Sequence, residues 1–126
     1  MSLDEINQFI RSNYYQAPYP KANKNDTEIL LSSKTGICWY RGYFKDDLSQ
    51  EEVEVGLNKF DAKAIVVGHT LQSKIKRHYN GNVYGIDAKR PKDYHKNWPN
   101  QESEALLIEN DMYFRVLNNG EVIKLE

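Results

Sequence analysis

Ala64-Ile65-Val66-Val67-Gly68-His69-Thr70 is the stretch on which the reading of this chain turns. A short apolar run with three β-branched residues in a row, stopped by a glycine, predicts a buried strand. On its N-terminal side the pattern is helical. Ser49-Gln50-Glu51-Glu52 has the capping-box form, and Val53, Leu57 and Phe60 fall on one face of a helix ending near Asp61. On its C-terminal side the pattern alternates. Asn80-Gly81 between Lys74–Tyr79 and Asn82–Ile86 predicts a hairpin. Residues Glu104 to Glu109, Met112 to Leu117 and Glu121 to Leu125 read as further strands, separated by Asn110-Asp111 and Asn118-Asn119-Gly120. Helices followed by a meander predict an α+β fold: a mostly antiparallel five-stranded sheet flanked by about three helices.

Working outward, Ser2 to Tyr15 reads as a helix. Ser2 is its N-cap, Asp4 and Glu5 lie in its first turn, and Leu3, Ile6, Phe9 and Ile10 form an apolar stripe. Pro18 and Pro20 end it. A helical turn over Thr27–Ser33, capped by Asp26 and stopped by Gly36, leads to the aromatic segment Ile37–Phe44. The polar stretch Lys89–Asn100, with two prolines, reads as an exposed loop. The whole is one domain over residues 1–126, with 1–36 a helical lead-in and 37–126 the sheet-forming region.

Composition narrows the function classes. With 17 Lys+Arg against 18 Asp+Glu, the formal net charge is −1, which excludes a bulk electrostatic grip on nucleic acid or an anionic membrane. The single cysteine, Cys38, excludes an intrachain disulfide and a Cys-rich zinc site, and reads as a buried, inert thiol. Met1-Ser2-Leu3-Asp4-Glu5 lacks the basic start of a signal peptide, and no apolar run has the length of a membrane span. These features predict a reduced, soluble, cytoplasmic protein.

Two places carry candidate chemistry. Gly68-His69-Thr70 presents an imidazole at a strand's carboxyl end, where ligands gather in α/β sheets. It can be a metal ligand, or its ring can simply bond a nearby carbonyl. In Trp39-Tyr40-Arg41-Gly42, an arginine among aromatics suits bidentate contact with a phosphate, or stacking on a neighbouring ring. The basic residues Lys74, Lys76 and His78, and Lys89, Arg90, Lys92 and Lys96, read as solvated side chains on a hairpin and a loop. The nine tyrosines carry no stacking-platform motif.

From Ile37 onward the ordered landmarks resemble the C-terminal part of a calcineurin-like metallophosphoesterase, of the bacterial phosphatase branch. They are Trp39-Tyr40-Arg41-Gly42, the helix to Phe60, Ala64–Thr70, Asn82-Val83-Tyr84-Gly85-Ile86-Asp87, Glu104-Ala105-Leu106-Leu107-Ile108 and Tyr113-Phe114-Arg115-Val116. The resemblance implies a β-sandwich fold and metal-dependent hydrolysis of phosphoesters. It makes His69 a metal ligand and Arg41 a phosphate contact, with Gly68 and Thr70 in support. It also implies a pair of divalent metals (Mn, Fe or Zn) in a longer parent protein.

The family's early motifs, Asp-x-His, Gly-Asp-x-x-Asp-Arg and Gly-Asn-His-Glu, have no counterpart in the expected order. Asp93-Tyr94-His95 spells the first, but it follows Gly-His-Thr and reads as coincidence. One imidazole cannot hold two metals, so the resemblance implies a partner: a missing N-terminal half. The expectation is a fragment that is inactive alone and binds no metal tightly. The alternative is a freestanding, non-catalytic interaction module. Exposing one sheet face further predicts self-association, or cover by the Leu3/Ile6/Phe9/Ile10 helix.

Overall fold

The structure is a computed structural model that describes residues 1–13, 25–32, 35–88 and 103–126. The proline stop at Pro18 and Pro20, the whole 89–100 loop, and with it Asp93-Tyr94-His95, lie outside the described residues. The chain divides into two compact units, Met1–Ser49 and Gln50–Glu126.

The first unit opens with helix α1, Leu3–Asn13. Ser2 caps it reciprocally: the Glu5 amide donates to Ser2 Oγ (3.2 Å) and the Ser2 amide to Glu5 Oε2 (2.6 Å). Its stripe is only partly buried, with Ile6 6% exposed and Leu3 44%. The next helix, α2, is a single turn, Asp26–Ile29. Its cap is Asn25, not Asp26, because the Asn25 side chain already accepts from the Glu28 amide. Gly36 does stop this region. Its amide bonds Ser32 O, and a Cβ there would overlap that same carbonyl. Residues Ile37–Phe44 form turns and a 3-10 turn over Gly42–Phe44, with no strand.

The second unit holds helix α3, Gln50–Lys59, and six strands. These are β1 (Ile65–Val67), β2 (Arg77–His78), β3 (Val83–Gly85), β4 (Glu104–Glu109), β5 (Met112–Leu117) and β6 (Val122–Lys124). On α3, Val53 and Leu57 are buried as the spacing requires. The strands do not form the expected five-stranded sheet. They form two three-stranded sheets, ordered β1-β3-β2 and β4-β5-β6. The physical reason lies at β3. It pairs parallel with β1 on one side and antiparallel with β2 on the other, so its ladder is full and every residue in it is buried. The 86–103 connection then starts a separate antiparallel meander.

The turns follow local chemistry. The β2–β3 link holds three consecutive left-handed residues, Tyr79, Asn80 and Gly81. A side chain at Gly81 (φ +94°) would bring its Cβ within 2.7 Å of Arg77 Nε, so only glycine fits without displacing that arginine. The two-residue β4–β5 turn puts Asn110 and Asp111 at φ 50° and 60°, the paired positive angles of a type I′ hairpin.

Three contacts tie the second sheet to the rest of this unit. Tyr84 and Tyr113 stack with centroids 4.5 Å apart. Arg115 bonds Glu104 in bidentate fashion (2.6 and 2.9 Å), and Glu104 Oε2 also accepts the Ile75 amide at 3.0 Å. Lys63 meets Asp111 at 2.6 Å, but both side chains are solvated and the pair contributes little. Ile75 and Val83 are the fully buried centre of this unit.

One face of the second sheet stays open. Ala105, Leu107, Met112, Phe114, Val116 and Val122 share it by register, and Leu107, Met112 and Val122 are exposed. The expectation of association through an exposed sheet points to this face.

Burial holds the His78 imidazole below its ordinary pKa of 6.5, and the Lys76 charge adds to the effect. The fold therefore favours the neutral ring. That stabilisation is complete above the ordinary value and is lost as pH falls through the lowered one. Stability measured by denaturation should drop with acidification below about pH 6.5, and His78→Gln should flatten that part of the curve.

Candidate functional site

The parallel pairing of β1 and β3 determines where chemistry can gather. Val67 is opposite Gly85, and the Ile86 amide donates to Val67 O at 2.9 Å. Both strands run out at the same edge. Gly68-His69-Thr70 follows one and Asp87 follows the other, so His69 and Asp87 stand at the carboxyl ends of neighbouring parallel strands. This is the edge at which open α/β sheets bind ligands.

The loop beyond His69 is fastened to that edge. The Gln72 amide donates to Asp87 O (2.8 Å), and the Gln72 side chain donates to Thr70 O (3.3 Å). Further on, Glu104 holds the Ile75 amide. His69 itself is exposed and left-handed, at φ 55°. A non-glycine residue there is strained by about 1–2 kcal/mol, and such strain gathers at functional positions. Gly68, the residue freest to turn, lacks a positive φ and a Cβ there would meet nothing within 4 Å. His69 carries the turn. Next to it, Thr70 Oγ1 is buried with no hydrogen-bond partner among the described residues. An unsatisfied buried hydroxyl beside a strained, exposed imidazole marks a place where a polar ligand would be gained cheaply. His69→Gly should be as stable as His69→Ala or up to about 1 kcal/mol more stable, because glycine relieves the left-handed strain. Thermal melts of the two variants check this.

Arg41 lies in the other unit. Its guanidinium donates to Tyr40 O (3.2 Å) and sits 5.9 Å from the centre of the Trp39 ring. It makes no ion pair among the described residues. Trp39 is 50% exposed. Tyr40 packs edge-on to Tyr43 at 5.1 Å, and its ring covers Gly42 so closely that a Cβ there would overlap it. A side chain at Gly42 would have to displace the Tyr40 ring. Cys38, expected to be buried, is exposed in this segment, because the chain turns here where a strand would have buried it.

Sequence reasoning singles out His69 and groups Asp87 and Arg41 with it only in a third reading, a compact enzyme of another class, which nothing in their spacing requires. The signal was present in the two runs Ile65–Val67 and Val83–Gly85, each ending in a polar residue two positions on. Their parallel pairing had to be known before the two could be joined. A second concavity of about 470 Å³ lies beside Tyr84 and Tyr113. Arg77 and Lys124 line it together with Asp111 and Glu126, so opposite charges meet there and no anion is favoured.

No protein-family profile matches the chain, and no curated protein does. Solved structures do. The chain aligns over its full length with the cold-active protein-tyrosine phosphatase of a psychrophilic Shewanella species, at 28% identity and a TM-score of 0.74, covering 36% of that chain. A point mutant of a cold-active protein-tyrosine phosphatase and a further structure of such an enzyme match equally well, with 36% and 35% covered. The chain thus spans about a third of the length of the structures it matches.

These neighbours correct the resemblance drawn from the ordered landmarks. They are described as protein-tyrosine phosphatases, and the assignment as the C-terminal part of a calcineurin-like metallophosphoesterase falls with that. The metal-binding expectation has no support in the side chains either. No three of His, Cys, Asp and Glu gather to hold a metal ion among the described residues. The landmarks misled because Gly-His-Thr after a strand is a generic way to end a sheet at a ligand-facing edge. Among the described residues, no helix is long and apolar enough to cross a membrane.

Proposed function

We propose that this chain forms part of a phosphatase, with the carboxyl edge of β1 and β3 as the surface that meets the phosphate of a phosphomonoester. The observation that carries the reading is the strained His69 at the same carboxyl edge as Asp87, on a chain that aligns throughout with a protein-tyrosine phosphatase. In this reading the His69 imidazole donates a hydrogen bond to a phosphate oxygen, and the Thr70 hydroxyl gains the partner it lacks. When the ester bond breaks, a protonated imidazole can hand its proton to the departing oxygen, the role for which His is most often used.

Equilibrium dialysis with radiolabelled inorganic phosphate tests this directly. Saturable binding is expected, weakened about tenfold or more in His69→Ala, since hydrogen bonds to charged groups are worth about 1.5–3 kcal/mol. Thr70→Val should weaken it less. Binding that His69→Ala leaves unchanged, or no saturable binding at all, would overturn the proposal.

A further inference from the structure

Two Asn-Gly pairs lie in links between strands. Asn80-Gly81 joins β2 to β3, and Asn119-Gly120 joins β5 to β6. Glycine has no side chain to shield its own amide nitrogen, so the asparagine carboxamide before it is open to attack by the backbone. The two pairs are held differently. Asn119 Oδ1 accepts the Glu121 amide at 2.9 Å, and the Gly120 amide donates to Leu117 O at 3.0 Å. That side chain is tied forward, and the nitrogen that would attack it is engaged. Asn80 is exposed, and its side chain makes no hydrogen bond among the described residues.

A cation adds to the difference. Arg77 stands opposite Tyr84 in the β2–β3 ladder, and its Nη2 donates to Asn80 O at 2.8 Å. That oxygen belongs to the same peptide group as the Gly81 nitrogen. A guanidinium on the oxygen stabilises the anion left when the nitrogen loses its proton.

We propose that Asn80-Gly81 is a site of spontaneous, backbone-assisted deamidation, with Arg77 as the group that activates it. The Gly81 nitrogen gives its proton to hydroxide and bonds to Asn80 Cγ. The Cγ–Nδ2 bond breaks, and the departing nitrogen takes a proton from water and leaves as ammonia. The product is a five-membered imide. Water then adds to one imide carbonyl and reopens the ring, so the net change is one water consumed and one ammonia released. Opening at the former peptide carbonyl is favoured, because Arg77 donates to that oxygen and offsets the charge that builds on it. It leaves an isoaspartyl linkage. The backbone then runs through the former side chain, and the former Asn80 carbonyl becomes a carboxylate beside Arg77. The link between β2 and β3 thereby gains a carbon and a negative charge.

Warm incubation of the chain at mildly alkaline pH, followed by peptide mapping with mass spectrometry and isoaspartate-specific methylation, tests this. The Asn80 peptide should exchange amide for acid about three- to tenfold faster than the Asn119 peptide, the factor that one hydrogen bond supplies. Isoaspartate should be its main product. Arg77→Gln should slow the Asn80 reaction by a similar factor and leave the Asn119 rate unchanged. Arg77→Lys, which keeps the charge, should retain most of the speed. In urea both the tie at Asn119 and the Arg77 contact are lost, and the two rates should converge. Equal rates at the two sites of the folded chain overturn the proposal, as does an Asn80 rate that Arg77→Gln leaves unchanged. Should Arg77→Gln fail to fold, shown by Asn119 reacting as it does in urea, the Arg77→Lys chain decides. Retained speed there supports the proposal, and a rate equal to that of Asn119 overturns it.

Discussion

Glu104→Ala should lower folding stability by about 3–5 kcal/mol, the range for removing one partner of a buried ion pair. Glu104 is 5% exposed at its side chain and Arg115 19%. Water can do little to replace what is lost. The truncation leaves Arg115 without its bidentate partner and the Ile75 amide without its acceptor. Both defects arise from one carboxylate, which is why the effect should exceed that of an ordinary hydrogen bond. Denaturant titration of the alanine variant beside Glu104→Gln gives the size and the cause. The glutamine keeps an acceptor for Ile75 and loses the charge, so it should lie between the two. A loss below about 1 kcal/mol for alanine would show that the pair is not sealed from water in the way described.

Ile75→Ala should cost about 2–5 kcal/mol, the usual range for emptying a fully buried aliphatic site. Ile75 has no exposed surface, so the deleted atoms leave a cavity unless the neighbours collapse into it. It lies in the stretch that returns from His69 to β2, anchored at its amide by Glu104. The two variants share a contact, and their effects should therefore not add. The double variant should cost less than the sum, and denaturation of all three chains measures the difference.

Much of the fold could be read from the chain. The Ser2 cap, the Val53/Leu57 face and the Asn110-Asp111 turn are local signals, and a local signal survives any tertiary arrangement. The meander β4–β5–β6 is fixed by short turns between alternating runs, so its pairing is also local. What could not be read was the partner of Ile65–Val67. A parallel pair is joined by a long connection, and nothing near β1 says that β3, rather than β2, will lie beside it. The division into two sheets, and the placing of His69 and Asp87 at one sheet edge, both follow from that one pairing. His69 itself was visible as a polar residue ending an apolar strand. Its left-handed backbone was not, because Gly68 stood next to it and offered the cheaper place for a turn.

The same ambiguity produced the incorrect family. Arg41, Gly68-His69-Thr70 and the strands after them have an order that several phosphate-handling proteins could share. A metal centre needs several converging ligands, and among the described residues no three of His, Cys, Asp and Glu converge in that way. What the aligned structures contribute is the fold and a phosphatase as neighbour, over a third of its length.

The central claim is that the edge formed by Gly68-His69-Thr70 and Asp87 is the phosphate-facing surface. The most direct measurement is the backbone amide spectrum of the isotopically labelled chain during titration with inorganic phosphate. The account predicts saturable shifts at Gly68, His69, Thr70 and Asp87, with a common affinity, and their loss in His69→Ala. Shifts confined to other residues, or no saturable shift at these four amides, would contradict it.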